Sequence, residues 1–352
     1  MNSIHEITLP SKVLIGPGAI KRIHDVVSGI PRVPGQIGIV TGENTYKAGG
    51  RIVEEMLSRD NSVVTWFASD ASVSTAEKLA YEAVEKKVGI VVGVGGGRVI
   101  DLAKYIGLKT GAHVISVPLA PSHDGIASPF ASLKGLARPT SIYTKTPYAI
   151  IADTEIISKA PRRLILSGVG DLLGKLVAVK DWRLAHMLKG EYYGEYAAQL
   201  ALMSARHVIK YHELIARGSE EGIRILVEAL VSSGVSMCIA GSSRPASGSE
   251  HLFSHALDLI APGRALHGEQ VALGTIIMLY IYGDPRWRLV RNIMKKIGLP
   301  TTARELGFTP EEVVKALTIA HSIRPERYTI LGETGLTSEA AYKVARDTGV
   351  ID

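Results

Sequence analysis

Only one cysteine, Cys238, occurs in 352 residues. An internal disulfide is excluded, and so is a metal site built on several thiolates; any metal must be held by histidines and carboxylates. Cys238 lies in an apolar helical stretch and reads as a buried, inert thiol. Aromatic residues are scarce at 6%, and the basic residues are scattered without interleaved aromatics, which argues against a nucleic-acid partner. The net charge of +6 then points to an anionic small molecule. No apolar run reaches membrane-spanning length without interruption, and the N-terminal M-N-S-I-H-E-I-T-L-P lacks the basic-then-apolar pattern of an export signal. The expectation is a cytoplasmic protein with no integral membrane segment. Internal repeats and low-complexity tracts are missing too.

What is present is a change of character along the chain. At this length two domains are expected. Apolar runs at 36–41, 62–67, 88–92 and 113–118 read as strands, and the segments 51–58, 74–87 and 99–109 read as helices. The stretches 141–144 and 148–152 read as a further strand pair. Beyond Asp153 strand signals stop, and 161–180, 192–217, 219–240, 268–283, 287–296, 309–322 and 338–348 read as helices. This predicts an α/β N-terminal domain, 1–157, with a parallel Rossmann-like sheet for a dinucleotide. An all-α domain, 158–352, follows and carries metal and substrate, with the site in the cleft between them. Residues 225–239 are apolar around most of a helix, which fits burial in a core or at a homo-oligomer interface.

Four segments carry polar chemistry. The stretch S-E-H-L-F-S-H-A-L-D-L-I-A-P-G-R-A-L-H-G-E-Q, 249–270, holds three of the eleven histidines. His251 and His255 share one helix face, and His267 opens a second helix after the break at Pro262 and Gly263. Two imidazoles from separate helices leave room for a carboxylate and an open position on a divalent metal; buried, hydrogen-bonded core histidines would give the same pattern. Gly93-Val94-Gly95-Gly96-Gly97-Arg98 follows a strand and opens a helix bearing Asp101, an arrangement that suits a pyrophosphate but equally a tight turn. The loop from Val117 to Ser128 is dense in hydroxyl, imidazole and carboxylate groups at a strand end. Asp171 lies in the apolar, glycine-rich S-G-V-G-D-L-L-G-K, where a carboxylate needs a cation, a metal or a helix to cap.

Together these segments resemble the superfamily of glycerol dehydrogenase, dehydroquinate synthase and iron-containing alcohol dehydrogenase. The motif set is G-G-G-x-x-x-D, the loop with Asp124, G-x-G-D, and H-x-x-x-H ending in H-G-E. A-P-S-H-D-G-I-A-S-P, G-V-G-D-L-L-G-K and S-G-S-E-H-L-F-S-H resemble the archaeal branch more than the other members. The resemblance implies a zinc ion on Asp171, His251 and His267, with NAD or NADP as hydride carrier. It implies that Gly95, Gly96, Gly97, Arg98, Val99, Ile100 and Asp101 hold the dinucleotide phosphates. Leu119, Ala120, Pro121, Ser122 and Ser128 would line the nicotinamide half. Asp124 resembles the carboxylate that contacts substrate hydroxyls, and His255 the substrate-side histidine that passes a proton.

The implied reaction is interconversion of dihydroxyacetone phosphate and sn-glycerol 1-phosphate, a step toward archaeal phospholipid backbones. A polyol dehydrogenase without a phosphate requirement, a dehydroquinate synthase and a non-catalytic nucleotide-binding module are the alternatives. Two positions depart from the superfamily pattern. Lys175 stands where iron-containing members carry a further histidine, which favours three-ligand zinc; Lys175 is also a candidate contact for the substrate phosphate. Gly42 stands where glycerol dehydrogenases carry a ribose-binding aspartate, which makes room for a 2′-phosphate and predicts use of both NAD and NADP.

Overall fold

Near-continuous apolar runs in the first part of the chain build a sheet with both faces covered. The protein is described by a computed structural model covering residues 4–31, 35–135 and 141–352. Its strands are β1 (Lys12–Gly16), β2 (Gln36–Thr41), β3 (Val63–Phe67), β4 (Val88–Gly95), β5 (His113–Pro118), β6 (Phe130–Ser132), β7 (Ser141–Tyr143) and β8 (Ala149–Asp153). Six of them form one parallel sheet in the order β1-β8-β5-β4-β2-β3. Successive side chains go to opposite faces. Ile37, Ile39, Val92, Val94, Ile115 and Val117 enter one core layer, while Val40, Val91 and Val114 enter the other. Near-continuous apolar runs such as V-G-I-V-V-G-V-G in β4 are what a parallel sheet buried on both sides demands.

The sequence expectation for the strands needs two corrections. The stretches 141–144 and 148–152 do not pair with each other: β7 pairs antiparallel with β6, and β8 runs parallel beside β1 and β5. The sheet also gains an edge strand, β1, whose K-V-L-I-G is too short and half exposed to stand out as a pattern.

After β8 the described residues are helical. The single helix expected over 161–180 is two, Arg162–Leu173 and Lys175–Lys189, joined at Gly174. Glu220–Ala240 is long and apolar enough by length and composition to cross a membrane, but 67% of its apolar window is buried inside the fold, as in the core helix of a globular protein, while Glu220, Glu221, Arg224 and Glu228 stay exposed. Leu226, Val227 and Leu230 join the main core there. The helix therefore fills the subunit's own interior, so its apolar circumference is no argument for an oligomer interface.

Glycines set how closely the helical part approaches the sheet. A β-carbon on Gly168 would lie 1.9 Å from the Pro121 carbonyl oxygen, and one on Gly170 would lie 2.1 Å from that of Gly268. These contacts seat the Arg162–Leu173 helix against the loop after β5 and the start of the His267–Ile281 helix. Gly170→Ala is expected to lose about 2 kcal/mol or more of stability through overpacking; equilibrium denaturation measures it, and a variant as stable as the parent would contradict the close approach.

Candidate metal and dinucleotide site

Parallel strands deliver their following loops to one edge of the sheet. The order places the reversal between β4 and β2, so a crevice opens beyond their carboxyl ends. The Gly95 turn leaves β4 there. Gly95 adopts φ +146°, a region essentially closed to side chains. Gly96 faces open space: a β-carbon there would meet nothing within 4 Å. The Gly97–Thr110 helix then begins without a side-chain cap, so its first N–H groups are free to meet an anion. A β-carbon on Gly97 would strike the His123 Nε2 at 1.8 Å, so this glycine is what lets the imidazole lie over the turn.

Helical residues supply the other wall. Asp171, His251 and His267 each offer one ligand atom, all within 4.8 Å of one another. Asp171 Oδ1 lies 3.5 Å from His251 Nε2 and 3.9 Å from His267 Nε2. Neighbouring side chains hold both rings. Glu250 Oε1 accepts from His251 Nδ1 at 2.6 Å. Ser254 gives its hydroxyl proton to Gln270 Oε1 at 2.7 Å, so its oxygen accepts from His267 Nδ1 at 3.3 Å. In both rings the Nε2 lone pair is left for the shared centre, the arrangement seen around metal-ligating histidines.

The electrostatics fit a cation. Burial opposes ionisation of Asp171, but Lys175, His251 and His267 outweigh it and hold the carboxyl below its usual range. Burial, together with His251, pushes His267 down to about 3. Burial, then His267 and Arg324, drive His255 well below the usual imidazole value, so it is neutral. His251 moves the other way: burial is overcome by Asp171 and Glu250. One carboxylate and two imidazoles make a donor set suited to a zinc-like divalent ion with a vacant position.

These walls enclose a cavity of about 460 Å³. Of the sequence-expected residues, Gly97, Arg98, Asp101, Asp124, Ser128, His251, His255 and His267 line it. Asp101 faces it but is committed to Lys104 at 2.8 Å and to the Ser132 N–H at 3.1 Å. Val99 and Ile100 turn into the core. Leu119, Ala120 and Pro121 are buried and do not line the cavity, and the Ser122 carbonyl accepts from Ser167 Oγ at 3.2 Å.

Lys175 requires a correction. It is fully buried, with its ammonium 2.9 Å from Asp124 Oδ2, 3.2 Å from Asp171 Oδ1 and 3.1 Å from the Ala246 carbonyl oxygen. It is neither a solvated helix lysine nor free to meet a substrate phosphate. Its charge is consumed in neutralising the two carboxylates. Asp124 also takes the Ser233 hydroxyl on Oδ2 at 2.7 Å, which leaves Oδ1 for the cavity.

The sequence by itself assigns no role to His123, Glu250, Ser254 or Gln270. The available signal is polar residues flanking each histidine within apolar helices, S-E-H, F-S-H and H-G-E-Q.

A family profile described as iron-containing alcohol dehydrogenase matches residues 14–161. The chain is 66% identical over 352 residues to a glycerol-1-phosphate dehydrogenase (NAD(P)+) from Staphylothermus marinus, covering 99% of each chain. It is 58% identical over 348 residues to a protein of the same description from Hyperthermus butylicus, again covering 99% of each. Among solved structures, glycerol dehydrogenase from Schizosaccharomyces pombe superposes with a TM-score of 0.82 at 21% identity, covering 99% of this chain and 91% of that one.

Proposed function

The chain belongs to the glycerol-1-phosphate dehydrogenase (NAD(P)+) family, and from that premise we propose that it transfers hydride reversibly between NAD(P)H and carbon 2 of dihydroxyacetone phosphate, forming sn-glycerol 1-phosphate for archaeal phospholipid backbones. The observation that carries this reading is the convergence of Asp171, His251 and His267 on one point beside a cavity that also reaches the Gly97 turn.

In this reading residues 1–157 hold the dinucleotide, and residues 158–352 hold the metal and most of the substrate. Asp171, His251 and His267 hold zinc; when bound, the ion supplies Lewis-acid polarisation of the substrate carbonyl. The free N–H groups at the start of the Gly97–Thr110 helix take the pyrophosphate. Asp124, oriented through Oδ2 by Lys175 and Ser233, accepts from the terminal hydroxyl of the triose through Oδ1. His255 takes up the C2 hydroxyl proton as a neutral base on oxidation and, as the imidazolium then formed, returns it to the C2 oxygen on reduction, directly or through water. A cytoplasmic location and a homo-oligomeric state belong to the same reading.

The test follows nicotinamide absorbance with dihydroxyacetone phosphate, with and without chelator, and then resolves product chirality. Turnover that stops on chelation, returns with zinc and yields the sn-1 product is expected. Turnover confined to unphosphorylated polyols would overturn the substrate. Cofactor binding with no turnover would leave a binding module.

Two further results follow. Glu250→Ala, which frees the His251 ring, is expected to weaken zinc binding about 10- to 100-fold, read by competitive chelator titration; unchanged affinity would contradict the orienting role. Gly42 closes β2 beside Thr45, with only ordinary contacts around a β-carbon there. Both NAD and NADP are therefore expected to serve, with kcat/KM values within about a thousandfold of each other. A stricter preference for NAD would refute this.

A further inference from the structure

Two arginines lie directly behind the cavity wall and lack a counter-ion. Arg324 ends the Pro310–Ile323 helix and is 6% exposed. Its Nη2 donates to Ser141 Oγ at 3.1 Å, and its Nε is buried with no partner. Arg327 follows in the next turn, donating from Nη2 to Ser243 Oγ at 2.7 Å and from Nη1 to the Ser247 carbonyl. Ser141, Ser243 and Ser247 line the same cavity as His251, His255 and His267. Among the described residues no carboxylate comes within ion-pair distance of Arg324 or Arg327. Neighbouring Arg244 is different: Glu191 takes it at 2.6 Å.

We propose that Arg324 and Arg327, with the hydroxyls of Ser141 and Ser243, form the subsite for the substrate's phosphate group. The reasoning is one of unsatisfied charge. A guanidinium stays protonated in proteins, so burying one and half-burying a second without an anion is costly. The cost shows as a pKa depression for both, caused first by burial; Arg327 is pushed down to about 9, with Arg324 and Arg244 adding to the effect. An anion in the adjoining cavity removes that cost, and charge-assisted contacts from guanidinium and hydroxyl suit phosphate. Because Ser243 Oγ accepts from Arg327, its own proton is free to be donated into the cavity. His255 lines the same cavity as Ser141 and Ser243, which puts the anionic site beside the proton carrier. A triose phosphate needs this spacing, since only a methylene and an oxygen separate its ketone carbon from phosphorus. Lys175, the cation suggested by sequence, is already neutralised.

The subsite rests on the triose-phosphate reading above, and one measurement separates the two. The ratio of kcat/KM for dihydroxyacetone phosphate to that for dihydroxyacetone is measured in the parent, Arg324→Met, Arg327→Met, Arg324→Lys and Ser243→Ala. The parent should strongly favour the phosphate ester. Each methionine variant should cut the ratio about 100-fold through the KM for the ester, with a smaller loss for Arg324→Lys. Inorganic phosphate should also inhibit the parent competitively and the methionine variants far more weakly. If a buried methionine prevents folding, Arg324→Lys and Ser243→Ala carry the test. A ratio preserved in folded variants overturns the subsite alone; a parent with no preference overturns the subsite and the substrate reading together.

Discussion

Asp171→Ala is expected to lower kcat/KM for dihydroxyacetone phosphate by roughly a thousandfold or more and to leave the purified protein without stoichiometric metal. The carboxylate is the anionic member of the three-residue donor set, and the Lewis-acid contribution it secures amounts to several kcal/mol. Two imidazoles alone hold a divalent ion weakly. The substitution also disturbs packing charge. Asp171 Oδ2 accepts from the Asp124 N–H at 3.0 Å, and Oδ1 helps neutralise buried Lys175. A stability loss of about 3 kcal/mol is therefore expected as well. Asp171→Asn separates the effects: it keeps an oxygen acceptor and most of the volume while losing the charge, so metal and activity should still go. Elemental analysis and denaturation of both variants check this. A folded Asp171→Asn protein that keeps its metal and a tenth of its activity would end the metal-site reading.

Lys175→Met is expected to destabilise the metal-free protein by about 3–5 kcal/mol, the usual cost of breaking a buried ion pair. It leaves Asp124 and Asp171 facing one another without their shared cation. The same change removes a positive charge standing 3.2 Å from the Asp171 oxygen that sits closest to both histidines. A divalent ion should then bind more tightly, and the rise in Tm on adding zinc should be larger than in the parent. Activity should still fall, because Asp124 loses the contact that orients it. Thermal melts with and without zinc measure the effect. An equal zinc-induced shift in parent and variant would show that Lys175 and the metal do not share an electrostatic centre.

Five of the six strands of the parallel sheet and the longer helices are legible as patterns, because burial on both faces of a sheet and along one stripe of a helix writes period and length into local sequence. Where the pattern misleads, the deciding partner lies elsewhere in the chain. Nothing in S-I-Y distinguishes a strand that pairs with Phe130–Ser132 from one that pairs with its nearer neighbour. Residues 225–239 do not say whether their apolar faces meet the same subunit or another.

The candidate site divides along the same line. The residue types, the single cysteine, the His251–His255 spacing and the glycine turn are properties of the sequence alone, and through resemblance they name the family and its donor residues. Whether a given side chain is free to act is not such a property. Lys175 looks available one helix turn from Asp171 and is taken by Asp124, a residue on a loop of the sheet region. Arg324 and Arg327 look like ordinary helix-end cations, yet the fold buries the first and half-buries the second behind Ser141 and Ser243, with no described carboxylate within reach. Local sequence sets which groups are carried and on which face. Only the packed chain sets which charges meet, since an ion's role depends on neighbours and dielectric that come from segments far apart along the backbone.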